Sequence, residues 1–358
     1  MKNVFRALII CLVISGITLL LPACGGGSDK IKVAFITNNP EEFWNYAEAG
    51  CIKAGQEVNV EPIVKRADGT AESQKRIIED LKVKGVKAFA VSPNNVKDNL
   101  EFFRELNKTH PLILVDSDVS DDDPKNYEVR RCYLGTNNIE AGKAAGELLM
   151  KARPDGGDFV IYVGQLDVLN AVQRREGVVT QLAGGKVTQE QMDKLQKGEY
   201  PIKFGKFTLL NTFTDQAKRE IALTKVEDTL KNDTYKNLTG MVGLWAYNPP
   251  AMLKAVKAAK RLDKIALVGF DEDQETLEGI KNEEIEGTIV QNPFQFGRMA
   301  TLILASLAKG EDSILGKGDY KCDEEQAKRI YVKHRVIPKD MSVENFRAEL
   351  KKNLSYRK

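Results

Sequence analysis

The stretch from residue 31 to residue 91, IKVAFITNNPEEFWNYAEAGCIKAGQEVNVEPIVKRADGTAESQKRIIEDLKVKGVKAFAV, sets the pattern on which the fold class depends. Its apolar runs have the length and composition of buried strands, and the segments between them space their apolar side chains as a helix does. We predict strands at residues 31–37, 58–65 and 88–91, and helices at residues 42–54 and 70–84. Short apolar strands that alternate with helices are typical of parallel sheets covered on both faces.

The same alternation continues along the chain. Further strands are predicted at residues 112–115, 133–134, 159–163, 207–210, 241–245 and 265–269, and further helices at residues 96–106, 140–152, 171–182, 215–230 and 250–260. Two rounds of this pattern predict a doubly wound α/β fold in two similar lobes, each built on a parallel sheet. Residues 183–206 interrupt the pattern with two glycines and a polar stretch, which we interpret as a surface insertion in the second lobe.

The places where the pattern switches give the expected domain boundaries. We assign residues 31–137 and 292–322 to the N-terminal lobe, and residues 138–291 and 323–340 to the C-terminal lobe. Connecting strands are expected to cross near residues 137–138, 291–292 and 322–327, and together they would form a hinge. The tail at residues 341–358 is amphipathic, and we interpret it as a helix packed on one lobe rather than a partner-binding segment.

The N-terminus has the pattern of an export signal. Lys2 and Arg6 precede an unbroken apolar run at residues 7–21, and the small residue Ala23 precedes Cys24. The run is shorter than the roughly 20 residues that a membrane-spanning helix needs. Leu-Pro-Ala-Cys resembles the bacterial lipobox, although proline is unusual there. The resemblance implies that residues 1–23 are removed, that Cys24 carries lipid, and that residues 24–30 are a flexible tether.

Composition excludes several classes of function. Residues 1–23 hold two of the 53 basic residues and none of the acidic ones, so the rest of the chain carries 51 charges of each sign. This balance argues against binding to nucleic acid, which requires a basic face. The only histidines are His110 and His334, and no cluster has the spacing of zinc ligands. Cys51, Cys132 and Cys322 remain after the signal and Cys24 are set aside, which leaves at least one without an intramolecular disulfide partner.

Motifs for common enzyme chemistry are absent from the sequence. No G-x-G-x-x-G follows the first strand, and no Walker-type loop or G-x-S-x-G nucleophile elbow is present. The first strand–helix turn, TNNPEE at residues 37–42, has no glycine that would admit a pyrophosphate. We therefore predict no catalytic residue, no metal and no cofactor.

Polar and aromatic residues instead follow the predicted strands. In open α/β sheets, ligands bind at the carboxyl ends of the strands. The residues expected there are Asn38, Asn39, Phe43, Trp44, Ser92, Asp116, Ser117, Asn170, Phe213, Asn248, Asp271 and Gln291. Carboxylates and amides bind hydroxyls, and aromatic rings cover the apolar faces of a sugar. Because no lysine or arginine dominates the set, it suits a neutral polyol better than an anion.

The same residues carry a family resemblance over essentially the whole chain after the signal. The matching stretches are KVAFITNNP, VKAFAVSPNN, PLILVDSD, YLGTNNIEAG, NAVQRREG, GLWAYNPPAMLKAV, IALVGFDEDQETLEGI and EGTIVQNPFQFG. In order and spacing they resemble the type I periplasmic substrate-binding proteins of ABC sugar importers, in the ribose/galactose-binding group. The resemblance implies a monomeric periplasmic or cell-surface receptor that closes on a sugar and delivers it to a membrane permease.

The resemblance also implies a role for each site residue. The implied sugar contacts are Asn39, Phe43, Trp44, Ser92, Asp116, Asn170, Phe213, Asn248, Asp271 and Gln291, with Asn38, Ser117 and Arg174 as further candidates. Phe43 and Trp44 on one lobe and Phe213 on the other would sandwich the ring, and the two aspartates would each hold a pair of hydroxyls.

The sequence departs from the ribose binders at three places. Glu41 and Glu42 lengthen the first loop, Ser117 replaces an arginine, and Val172 stands near a second arginine for which Arg174 is a possible substitute. These departures put ribose itself in doubt.

Several residues also have a structural interpretation. Asp116, Asp271 and Asn248 could cap the segments that follow them. Trp245 is expected in the core, and Arg174 on a helix surface or in a salt bridge. A Cys132–Cys322 pair near the hinge is a further interpretation, although their spacing does not require it.

Three alternative functions are to be distinguished from sugar binding. Repressors of the same fold carry an N-terminal helix-turn-helix, where this chain has a signal. A receptor for nucleosides or a signalling furanone would share the compartment and an aromatic cleft. An exported α/β enzyme would convert its ligand, whereas a receptor would return the ligand unchanged.

Overall fold

A computed structural model describes residues 30–120, 123–322 and 327–357. The predicted signal, Cys24 and the tether as far as residue 29 lie outside the described residues. The chain from Ile31 onward forms one compact unit. Within the described ranges, no helix is both long enough and apolar enough to cross a bilayer.

The described residues form two sheets flanked by helices. The strands are β1 (Lys32–Thr37), β2 (Glu61–Arg66), β3 (Ala88–Val91), β4 (Leu112–Val115), β5 (Tyr133–Gly135), β6 (Gly157–Val163), β7 (Ile202–Phe204), β8 (Phe207–Thr214), β9 (Leu238–Gly243), β10 (Ala266–Phe270), β11 (Gly287–Val290), β12 (Arg329–Tyr331) and β13 (Arg335–Pro338). The helices are α1 (Phe43–Val58), α2 (Ala71–Val83), α3 (Val96–Thr109), α4 (Asn138–Ala152), α5 (Leu169–Leu182), α6 (Gln189–Lys197), α7 (Arg219–Lys231), α8 (Asn248–Ala258), α9 (Gln274–Lys281), α10 (Pro293–Leu307) and α11 (Val343–Leu354).

The strand order confirms the predicted α/β fold. The first sheet runs β12-β5-β4-β3-β1-β2, and the second runs β13-β11-β10-β9-β6-β8-β7. Pairing is parallel except at the two edges of the second sheet, where β13 and β7 are antiparallel to their neighbours. Every residue of β3 and β4 is buried, as expected for central strands covered on both faces. The protein therefore has two lobes, each a doubly wound sheet with its own apolar core.

Two of the connections between the lobes lead directly into capped helices. The chain leaves the first sheet after β5 and enters α4, where the Asn137 side chain accepts a hydrogen bond from the Glu140 amide at 3.2 Å. It returns after β11 and enters α10, where the Asn292 side chain accepts one from the Gln295 amide at 3.2 Å. Both asparagines satisfy amides that the first helical turn leaves unpaired. Each of these two crossings therefore leads into a helix whose first turn is held by a side-chain hydrogen bond.

The third connection differs from the prediction. β12 pairs with β5 in the first sheet, whereas β13 pairs with β11 in the second. The chain therefore crosses between Tyr331 and Arg335, not near residues 322–327, and residues 329–331 belong to the first sheet rather than to the C-terminal lobe. Ile330 is buried in the first-lobe core. A strand this short has too few residues to show a period in the sequence.

The insertion at residues 183–206 extends the second lobe. Thr188 and Gln191 form a reciprocal capping box at the start of α6. β7 then pairs antiparallel with β8 and forms the edge of the second sheet. The insertion therefore adds one helix and one edge strand without disturbing the central strands.

The C-terminal helix contacts both lobes, whereas the sequence predicted packing on one. On the second lobe, Arg347 forms an ion pair with Glu278 of α9 at 2.9 Å. Beyond α11 the chain continues as a 3-10 turn, which places the Tyr356 ring 5.8 Å from that of Phe294 in the first lobe. Arg357 forms an ion pair with Glu48 of α1 at 2.9 Å. Residues 343–357 therefore link the two lobes.

Candidate ligand-binding cleft

A cavity lies between the lobes. It is lined by Asn38, Asn39, Glu41, Phe43, Trp44, Asp116, Asn170, Arg174, Trp245, Ala246, Tyr247, Asp271 and Gln291. Most of these residues follow the carboxyl end of a strand, where ligands bind in open α/β sheets.

Two buried aspartates occupy equivalent positions in the two lobes. Asp116 follows β4 with φ 66°, and Asp271 follows β10 with φ 64°. The Asp116 carbonyl accepts a hydrogen bond from the Tyr133 hydroxyl at 2.9 Å. The Asp271 carbonyl accepts one from the Thr288 hydroxyl at 2.8 Å. The left-handed conformation is uncommon outside glycine and marks ligand clamps in many proteins. Here it turns both carboxylates towards the cavity.

Arg174 is buried in the cleft, so the expectation of a surface or salt-bridge role was wrong. Its Nε donates to the Asn138 side chain and its Nη1 to the Leu244 carbonyl, both at 2.9 Å. The guanidinium lies 4.0 Å from the centre of the Phe270 ring. These contacts fix the group at the crossing between the lobes. The sequence did not reveal this because the Leu244 carbonyl, which follows β9, meets Arg174 only in the folded chain.

The charges in the cleft act on one another. Burial raises the pKa of Asp116 to about 6, and the Arg174 charge opposes that rise. Burial likewise raises the pKa of Asp271 to about 6, opposed by Arg174 and by hydrogen bonding from Gln291. Gln291 Nε2 donates to Asp271 Oδ1 at 3.0 Å. One cation therefore faces two carboxylates that are ionised at neutral pH, which favours a neutral ligand that donates hydrogen bonds.

Polar atoms without partners line this cavity. Among the described residues, the buried atoms that lack a hydrogen bond include Asp116 Oδ1, Asn170 Oδ1, Gln291 Oε1 and Arg174 Nη2. Buried polar groups in native proteins are nearly always satisfied. Three acceptors and one donor at a single cavity therefore indicate a ligand rich in hydroxyl groups.

The aromatic wall of the first lobe is held by the asparagines of the first loop. Trp44 Nε1 donates to the side-chain oxygens of Asn38 and Asn39, at 3.0 and 3.1 Å. The Phe43 ring meets the Trp44 ring edge to face, with centroids 5.0 Å apart. Phe43 and Trp44 both line the cavity, so the longer loop keeps both rings at the cleft.

The aromatic wall of the second lobe differs from the prediction. Phe213 does not line the cavity, because β8 continues to Thr214 and leaves Phe213 inside the strand. Its ring stacks on Tyr162 of the neighbouring strand, with centroids 5.3 Å apart. β9 ends at Gly243, so Trp245, expected in the core, follows the strand end and lines the cleft with Tyr247. Both errors come from misplaced strand ends.

Asn248 supports the cleft from behind and does not line it. Its Oδ1 accepts a hydrogen bond from the Trp245 amide at 3.0 Å, and its Nδ2 donates to Asp215 at 2.8 Å. The Tyr247 hydroxyl donates to the other oxygen of Asp215 at 2.6 Å. Asp215 and Asn248 therefore position the turn that carries Trp245 and Tyr247. No sequence pattern singled out Asp215.

Ser92 and Ser117, both predicted as candidates, also lie behind the cavity. Each is buried and absent from its lining. The Ser92 carbonyl accepts a hydrogen bond from Gln74 Nε2 at 2.6 Å, and the Ser117 amide donates to the Val115 carbonyl at 2.7 Å. Their backbones shape the strand ends beside Asp116.

An ion pair joins the lobes at the mouth of the cleft. Arg219 of α7 lies 3.2 Å from Glu41 of the first lobe and 3.3 Å from Asp273 of the second. Glu41 belongs to the lengthened first loop and was not predicted as a site residue. Across the described ranges, no group of His, Cys, Asp and Glu side chains is arranged to hold a metal ion.

Comparison with known proteins places this architecture in a family. Residues 33–312 match the periplasmic binding protein domain. The chain belongs to this family. Its members are substrate-binding proteins, and the family name indicates a periplasmic location.

The relatives include binding proteins of sugar importers. The ribose import binding protein of Haemophilus influenzae is 23% identical over 298 residues, which cover 82% of this chain and 90% of the relative. The D-apiose import binding protein of Paraburkholderia graminis is 23% identical over 278 residues, covering 76% and 79%. An ABC transporter solute-binding protein from Burkholderia graminis, solved with D-arabinose, superposes with a TM-score of 0.72 at 25% identity, covering 87% and 96%.

Proposed function

We propose that this protein captures a monosaccharide, or a neutral polyol of similar size, in the cleft between its lobes and delivers it to an ABC permease. It converts no ligand and acts as a monomer outside the cytoplasm, anchored by lipid on Cys24 after removal of residues 1–23. Residues 31–137 and 292–331 would move as one lobe and residues 138–291 and 335–340 as the other.

The observation that carries this proposal is the convergence of unpartnered buried atoms on one cavity. Asp116 Oδ1, Asn170 Oδ1 and Gln291 Oε1 would accept sugar hydroxyls, and Arg174 Nη2 would donate to a ring or hydroxyl oxygen. Phe43 and Trp44 on one side and Trp245 on the other would cover the C–H faces of the ring. The sugar names of the relatives support the same class of ligand.

Closure of the lobes would couple binding to delivery. A ligand shifts the equilibrium towards the closed form only if it binds that form more tightly than the open form. Contacts that both lobes make only when closed would supply this difference in affinity. Asp116 belongs to the first lobe and Asp271 to the second, so one bound sugar would join both. The closed surface would then be the form that docks on the permease.

A thermal-shift panel tests the ligand class. The full chain is mixed separately with aldopentoses, aldohexoses, inositol, nucleosides and a furanone, and the melting temperature is recorded. We expect at least one sugar or polyol to raise it, since ligands stabilise the state that they bind. Stabilisation by nucleosides or the furanone alone would refute the sugar assignment. Recovery of the stabilising sugar in chemically altered form would refute the receptor assignment.

A further inference from the structure

Two cysteines that are distant in the sequence meet in the first lobe. Cys132 directly precedes β5, and Cys322 follows a 3-10 turn at Gly318–Tyr320. Their thiols are hydrogen-bond neighbours. Cys322 packs against the same apolar cluster in which Cys132 is buried. Thiols this close on adjacent segments can reach disulfide geometry by side-chain rotation and a small shift of the chain.

The backbone holds both cysteines in place. The Cys132 carbonyl accepts a hydrogen bond from the Leu114 amide at 3.1 Å, and the Cys322 amide donates to the Leu315 carbonyl at 2.7 Å. Cys322 is partly exposed, whereas Cys132 is buried. Cys51 is separate, because its Sγ lies 3.4 Å from the Gly297 carbonyl, between α1 and α10. The three cysteines of the described residues therefore divide into one pair and one separate thiol.

We propose that Cys132 and Cys322 form a structural disulfide once the protein has left the cytoplasm. The two thiols would lose two protons and two electrons as the S–S bond forms. A disulfide-bearing oxidant, either a small molecule such as oxidised glutathione or a thiol–disulfide oxidoreductase, would accept them and be reduced to two thiols. The oxidising environment rests on the export that belongs to the proposed function.

The cross-link would stiffen one end of the hinge. It would tie the segment after α10 to the start of β5, the strand that pairs with β12. β12 leads directly into the third crossing between the lobes. The disulfide would therefore help to keep β12 paired with β5, at the first-lobe end of that crossing, while the lobes move.

Peptide mapping tests the pairing independently of export. The full chain is incubated with oxidised glutathione, its remaining thiols are alkylated under denaturing conditions, and it is digested with trypsin without reduction. We expect residues 132–143 to be recovered joined to residues 322–328, and residues 33–53, which contain Cys51, to be recovered alkylated. Recovery of Cys132 and Cys322 as separately alkylated peptides would overturn the proposal.

Thermal unfolding supplies a second measurement. A reductant should lower the melting temperature of the oxidised chain by roughly 5–10 °C. Cys322→Ser should abolish that sensitivity, whereas Cys51→Ser should retain it. Because each variant is compared with itself in the presence and absence of reductant, any destabilisation by the substitution cancels. Equal sensitivity in Cys322→Ser and the unaltered chain would contradict the pairing.

Discussion

Asp116 and Asp271 show how single residues build the cleft. Each adopts a left-handed backbone conformation, which costs on the order of 1 kcal/mol or more for a residue other than glycine. Each also has its carbonyl held by a hydroxyl from a neighbouring strand. The strained conformation occurs twice, at equivalent strand ends in the two lobes. In both places it directs a carboxylate into the cavity. This symmetry favours a role in binding over a role in capping.

The raised pKa values predict that acid weakens ligand binding. Both carboxyls have a pKa of about 6, so protonation below that pH removes acceptors for sugar hydroxyls. Binding should then release protons, and affinity should fall roughly tenfold or more between pH 7.5 and pH 5. Titration calorimetry across this range measures the effect. Asp116→Asn should show a shallower dependence, and affinity that is flat or rises on acidification would contradict the assignment.

At the scale of elements, close helix packing places Arg174. A Cβ added at Gly142 of α4 would lie 2.2 Å from the Arg174 carbonyl of α5. Only glycine allows the two helices to come this close, because the Arg174 carbonyl is a backbone group and cannot rotate away from a Cβ. The α4–α5 contact therefore sets the depth of Arg174 in the cleft.

Gly142→Ala should push α5 outwards and displace Arg174. Overpacking of this kind costs about 1–3 kcal/mol, so the melting temperature should fall and sugar affinity should weaken with it. Gly316→Ala is the matched control, because a Cβ there meets no atom within 4 Å and the residue is not in a left-handed conformation. Equal sugar affinity in the two variants would contradict the placement of Arg174 by the α4–α5 contact.

The elements also explain what the sequence could predict. β3 and β4 were placed correctly because uninterrupted apolar runs define buried strands. Asp116, Asp271 and Gln291 were found at the cleft because their strands end where the apolar run ends. Polar residues within β8 made the strand look shorter than it is, so Phe213 was placed after its end. Apolar residues after β9 made that strand look longer than it is, so Trp245 was placed inside it. β12 has no local sequence pattern that predicts a strand, and only its pairing with β5 in the fold defines it.

At the scale of the whole molecule, the C-terminal segment joins the lobes outside the hinge. Lys53 lies 5.3 Å from the centre of the Tyr356 ring, which adds to the contacts that Phe294 and Glu48 make with this segment. The segment reaches the first lobe from an anchor on α9 of the second. Opening of the cleft must therefore strain or break one of these anchors.

Loosening the first-lobe anchor should favour the open form. Tyr356→Ala combined with Arg357→Ala removes an aromatic contact and a partly exposed ion pair, together worth about 1–2 kcal/mol. The open population should rise about 5- to 30-fold, seen as a larger radius of gyration by small-angle scattering without ligand. Lys352→Ala, on an exposed face of α11, is the control. An unchanged radius in the double variant would show that the segment does not restrain opening.

The most direct test is a calorimetric titration of the full chain with the sugar that stabilises it best. We predict one binding event per chain and a loss of affinity of about 100-fold or more in Asp116→Asn/Asp271→Asn, since hydrogen bonds to charged groups contribute about 1.5–3 kcal/mol each. Asp263→Asn, at an exposed position, should bind like the unaltered chain. Full affinity in the double variant would contradict the assignment of the cleft between Asp116 and Asp271 as the sugar site.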